Sequence, residues 1–153
     1  MHPQNLKLAE IVAAIGGILL GVSLFLKAYV PSDNPNAYVI KEGSHAAVSA
    51  WDAHSWLRWV LLLAALTPLI LTYIILRDHT LSWPRGEVTA VVGIFAIGLI
   101  VYNSILDRPG SPSGQIGLGI GFWGMFIGAI MICVGGAIRS GESERRRKPP
   151  GVL

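Results

Sequence analysis

Apolar residues fall into four long runs, at about 8–30, 57–76, 88–106 and 116–138, separated by short polar, Pro- and Gly-bearing segments. A hydrocarbon core about 30 Å thick needs roughly 20 apolar residues in a helix, so each run has the length of one membrane span. The first run carries Glu10 near its start and Lys27 near its end, with no charge from Ile11 to Leu26. It is too long for a signal peptide and no small-residue cleavage site follows it, so it reads as a retained span. The segment 31–55 is the one sizeable loop. Within it Ser49 and Asp52 have the spacing of a capping box, which predicts a helix start near Ala50 ahead of the second span. Pro68 lies inside that span and would kink it. A short basic loop at 77–86 and the turn-dense stretch DRPGSPS close the remaining connections, and Ser111 or Ser113 could cap the fourth helix. The pattern predicts an all-α chain, one four-span antiparallel membrane bundle over 1–139 followed by a basic, disordered tail at 140–153.

Composition agrees with lipid as the solvent. Hydrophobic residues make up 52% of the 153 and charged residues 14%, against roughly 25% charged in a soluble domain. The mean hydropathy is +0.56. The net charge of +3 comes mostly from one tail, so it reads as a topology signal and not as a nucleic-acid footprint. Eight basic residues (Lys7, Arg77, Arg85, Arg139, Arg145, Arg146, Arg147, Lys148) fall on the side of the termini, and four (Lys27, Lys41, Arg58, Arg108) fall opposite. That bias predicts a multi-pass protein of the cell (inner) membrane with both termini cytoplasmic. Tyr29, Trp51, Trp56, Trp59 and Tyr102 gather at the outer edge, where amphipathic rings prefer to lie.

The most specific pattern is a glycine stripe. Gly117, Gly121, Gly124, Gly128 and Gly135 recur at steps of 4, 3, 4 and 7 on one face of the fourth span. The first span carries a shorter stripe of Ala14, Gly17, Gly21 and Ala28. Small residues let helix backbones approach closely where lipid supplies no hydrophobic force between helices. The two stripes could meet inside one chain, or one could face a second copy or a larger membrane protein.

Candidate chemistry is sparse. Glu10 is the one acid inside an apolar run, about one turn into the first span near the inner interface. Acids inside membranes can mark a transport carboxylate, but at this depth the favoured reading is an interfacial helix residue that reaches water or pairs with Arg77 or Arg85. At the outer edge Lys27, Arg58, Asn103 and Asp107 converge by topology, and an Arg58–Asp107 ion pair or a small polar pocket is expected. His45 and His54 lie in or beside the outer loop, and His2 and His79 on the other side. None sits mid-span where a bundle would hold haem or a metal, so no metal or other cofactor is expected. The single Cys133 excludes an intramolecular disulfide and reads as a small buried hydrophobe. No P-loop, nucleophile elbow or zinc-protease motif is present.

With the loop DRPG, the glycine-dense span LGIGFWGMFIG and a short basic tail, residues 57–139 resemble the small four-helix integral membrane proteins of high-GC Gram-positive bacteria. The resemblance implies a bacterial inner membrane and transfers no catalytic residue. The run KLAEIVAAIGG also resembles the first helix of small multidrug-resistance exporters, whose loops are much shorter. Claudin-like tetraspans share the span count, but their paired loop cysteines are absent. The reading is a non-enzymatic accessory or assembly subunit acting through helix packing. The alternative is a small oligomeric transporter or channel using Glu10 or the outer cluster. Reporter fusions test the topology: activity at residue 40 should require export and at residue 145 should require the cytoplasm, and a cytoplasmic signal from residue 40 would reverse the assignment.

Overall fold

The computed structural model describes residues 7–42, 44–77 and 85–147. In chain order these form α1 (Leu8–Ser23), β1 (Lys27–Pro31), β2 (Val48–Ser49), α2 (Ala50–Ala53), α3 (Leu57–Leu76), α4 (Arg85–Val101), a π-turn (Tyr102–Leu106), a 3-10 turn (Ser113–Gln115), β3 (Ile116–Leu118) and α5 (Ile120–Arg147). The chain is mostly helical. Among the described residues three helical stretches are long and apolar enough to cross a membrane: Leu57–Leu76, Gly86–Leu106 and Ile120–Glu142.

The expectation of an all-α chain is corrected at one end of the bundle, where β2, β1 and β3 form a three-stranded antiparallel sheet with β1 in the middle. The first apolar run does not stay helical to residue 30. It turns at Leu24–Leu26, where Phe25 N–H donates to Val22 O and Leu26 N–H to Ser23 O, and continues as β1. Tyr29, Val30 and Pro31 then pair with Leu118, Gly117 and Ile116, so the end of the first run and the start of the fourth satisfy each other's backbones. A buried backbone that leaves a helix needs such partners, and two strands supply them. α1 is therefore 16 residues, about 24 Å at 1.5 Å per residue, and falls short of a full span.

The other boundaries follow more closely. Ser49 does cap α2: its Oγ accepts from Asp52 N–H at 3.1 Å and donates to Asp52 Oδ2 at 2.7 Å. The chain breaks at His54 before α3 begins, so the expected second helix is two. α3 keeps Pro68 inside an unbroken helix. Ser111 and Ser113 do not cap α5, because β3 intervenes. α5 continues past Ile138 to Arg147, so the first part of the expected disordered tail is helical. The loop at 78–84, with His79, and the stretches 1–6, with His2, and 148–153 lie outside the described residues. Across the long loop, Tyr38 and Ser111 exchange both backbone hydrogen bonds. Gly110 beside them adopts φ +102, a conformation that favours glycine.

α5 lies between α1 and α4, and α3 packs on the other side of α1. The seams are made by glycine. A Cβ built at Gly128 would stand 2.7 Å from Gly16 O and Leu20 N, and one at Gly135 would stand 2.6 Å from Ala9 O. Gly121 meets Leu26 O, and Gly124 meets the side chain of Ser23. The glycine stripe thus faces α1 within the chain. Gly117 is a correction: it lies in β3 and not on the helical face. Gly17 meets α3 at Ala65 O and Pro68, whereas Gly21 is in ordinary contact with Ala65. A second seam, between α4 and α5, uses Gly93 against Cys133 and Gly86 against Gly136. Around these contacts the core is closed by Leu20, Leu24, Leu61, Ile100, Met125 and Ile132.

Gly128→Val should abolish the monodisperse folded protein in size-exclusion chromatography, since its Cβ would meet backbone and not a movable side chain. Overpacking alone typically costs about 1–3 kcal/mol. Gly98→Ala, with nothing within 4 Å, should leave the profile and melting temperature intact. Equal behaviour of the two variants would refute the packing argument.

Candidate functional site

Two polar clusters stand at opposite ends of the bundle. At the sheet end, β1 buries both Ala28 and Tyr29, which carries the Tyr29 ring inward from the middle strand. α2 stops at His54, whose extended backbone (φ −124, ψ 108) returns its ring toward β1. The π-turn widens the end of α4, with Asp107 N–H donating to Tyr102 O at 2.8 Å; such turns are found frequently at functional sites. The widened turn brings Ser104 beneath Tyr29. The Tyr29 hydroxyl then lies 2.9 Å from His54 Nε2 and 3.0 Å from Ser104 Oγ. The Tyr29 and His54 rings meet edge to face at 5.6 Å. Arg108 fastens the π-turn to β3 by donating from Nε to Ser104 O at 2.9 Å and from a terminal nitrogen to Ile116 O.

Burial pushes the Tyr29 hydroxyl above its ordinary pKa, opposed by the Ser104 hydrogen bond and the Arg108 charge. Burial also holds His54 below the ordinary imidazole value, opposed by the nearby Asp107 carboxylate. Tyr29 and Ser104 are each 1% exposed, so both side chains are closed off from the surface. The three groups form a clasp that joins β1, the α2–α3 junction and the end of α4.

The outer residues expected to converge do not do so. Lys27 and Asp107 are exposed. Asn103 turns back on its own helix and donates from Nδ2 to Leu99 O at 2.9 Å. Arg58 does not pair with Asp107. Its guanidinium lies 5.2 Å from the Trp51 ring and 5.6 Å from the Trp59 ring, and Trp51 in turn contacts Phe25 at 4.9 Å. Two indole faces attract the cation through their quadrupoles, while its buried Nε has no hydrogen-bond partner. His45 is exposed in the loop.

At the end that holds the termini, Glu10 is 7% exposed. Its Oε2 accepts from the Lys7 backbone N–H at 3.0 Å, and its Oε1 lies 3.1 Å from Arg139 Nε. Arg139 also reaches Glu142 at 3.6 Å, and Lys7 pairs with Glu142. The expected partners of Glu10 were Arg77 or Arg85; the pairing found is with Arg139, brought near by the close α1–α5 seam at Ala9 and Gly135. Arg77 stacks over Tyr73 at 5.3 Å. Among the described residues no group of three His, Cys, Asp or Glu side chains is placed to hold a metal ion.

Sequence reasoning placed Tyr29 and Arg108 at this edge but not in the clasp, and it missed Ser104 and the glycines Gly16, Gly86, Gly93 and Gly136. Gly86 and Gly93, seven apart in α4, were a readable signal; nothing in YNSIL announces a π-turn. No family model matches the chain, and neither a curated protein nor a solved structure matches it.

Because folding holds His54 below its ordinary pKa, the unfolded chain binds more protons near that value, about 6.5. The clasp's contribution is therefore complete above this pH and is lost as pH falls through it. The melting temperature of the solubilised protein should drop between pH 7.5 and pH 5, and His54→Gln should flatten that slope. Identical slopes in the two proteins would remove His54 from the account.

Proposed function

We propose that the chain is a non-enzymatic four-span protein of the bacterial inner membrane, with both termini in the cytoplasm. It works as an accessory or assembly subunit that packs against a larger membrane protein. The observation that carries this reading is the α3–α4 seam, which among the described residues no glycine closes. Between α3 and α4 lies a cavity of about 260 Å³ lined by Val60, Leu61, Leu63, Ala64, Thr67, Val91, Val92, Phe95, Ala96 and Leu99. Its floor holds two small residues, Ala64 and Ala96, both buried, while Leu63 and Phe95 at its rim are 65% and 64% exposed. Thr67 spends its hydroxyl on Leu63 O at 2.8 Å, so the groove offers shape and apolar contact without a free polar group. That is a surface for a helix from another chain, held by van der Waals packing. α1 crosses with the bundle although it is short, because tilt or local thinning accommodates such a mismatch at modest cost.

The transport alternative has less support. Glu10 is held by Arg139 and by the Lys7 backbone at one end of the bundle. Lys27, Arg58 and Asp107 lie at the other, and the buried apolar core separates them. The self-association reading loses its best surface, since the glycine stripe is spent between α1 and α5.

The experiment is site-specific photo-cross-linking in the native membrane from Leu63 and Phe95, with Val134 on the lipid-facing side of α5 as control, followed by gentle solubilisation and native mass measurement. One stoichiometric protein partner captured from 63 and 95 but not from 134 is expected. A homodimer would transfer the reading to self-association. A lone chain with only lipid adducts would refute it.

A further inference from the structure

The four long helices meet around one small space at the termini end, lined among others by Glu10 and Ala13 of α1, Thr72 of α3, Thr89 of α4 and Arg139 of α5. Its volume is about 20 Å³. A single water requires about 10–15 Å³ measured in this way, so the space has room for one water. Glu10 faces it with an unmet requirement. Its Oε2 has the Lys7 backbone N–H, but Oε1 is buried and receives no hydrogen bond. Arg139 Nε, 3.1 Å away, supplies charge without a directed N–H. A carboxylate oxygen accepts at two lone-pair positions, and leaving a buried acceptor unmet is costly. Thr72 and Thr89 line the same space, and a threonine hydroxyl both donates and accepts, so one that already has a partner can still meet a water. A buried water needs two to four polar partners, and these three groups come from three different helices.

We infer that this space is a binding site for one water molecule, which donates to Glu10 Oε1 and bridges it to the threonine hydroxyls of α3 and α4. The site does not depend on the subunit reading above. It gives the burial of Glu10 a structural reason: the carboxylate is met by Lys7, Arg139 and the water together. It also ties α3 to α4 at the termini end, whereas higher in the bundle an apolar groove parts them.

The test is a structure of the full-length chain in lipid nanodiscs at a resolution that shows ordered water, for the wild type and for Thr72→Val/Thr89→Val. In the wild type a water peak is expected within about 2.6–3.2 Å of Glu10 Oε1 and in reach of at least one threonine hydroxyl. The peak should be lost in the double variant. A dry space, or Oε1 taking an Arg139 N–H directly, overturns the site. A peak that persists unchanged in the double variant overturns the bridge. If the double variant fails to fold, Thr72→Val alone carries the comparison, with displacement of the peak expected and an unmoved peak overturning the part of α3.

Discussion

The approach of α1 to α5 at Gly16 and Gly128 is the contact on which the rest of the molecule depends. Each of these glycines leaves room for a backbone carbonyl of the other helix, with distances that no Cβ would permit. In lipid there is no hydrophobic force to press two helices together, so contact area between backbones has to provide the attraction. Once α1 and α5 lie this close, both of their ends are determined. At one end Glu10 comes within 3.1 Å of Arg139. At the other, the residues following α1 run beside those preceding α5, and β1 pairs with β3.

The sheet answers a problem that the helices create. α1 ends at Ser23 while the chain is still apolar, and its buried backbone needs partners once it leaves the helix. β1 finds them on both sides. Leu24 O accepts from Trp51 N–H at 3.0 Å, and Ala28 O accepts from Gly119 N–H at 2.8 Å. The strand then delivers the Tyr29 hydroxyl to His54 and Ser104, which fastens the loop region to the widened end of α4. Arg108 repeats the connection from the other direction. The cap therefore holds the ends of α1, α3, α4 and α5 in place, and the glycine seams hold their middles.

The same seams separate what the bundle keeps to itself from what it offers outward. The small-residue faces of α1, α4 and α5 are consumed internally. α3 meets Gly17 and Gly21 of α1, but among the described residues no glycine joins it to α4, so the α3–α4 groove is the face left open.

The apolar runs were legible without coordinates, because lipid imposes length and apolarity on any helix that crosses it: the run 57–76 coincides with α3, and the Ser49–Asp52 cap falls where its spacing placed it. The glycine periodicity of the fourth run was readable as a packing face, because helical spacing is a local property. Local pattern could not say which helix that face meets, since the same stripe serves a neighbour in the chain or outside it. Nor could it show that Lys27–Pro31 leaves the helix, because an apolar run looks alike as the end of a span or as a buried strand, and only the nearness of Ile116–Leu118 decides. The pairing of charges was likewise a tertiary matter. Arg58 had Asp107 within reach by topology alone, but Trp51 and Trp59 enclose it first. Glu10 found Arg139, 129 positions away in the sequence, because two glycine faces brought their helices together.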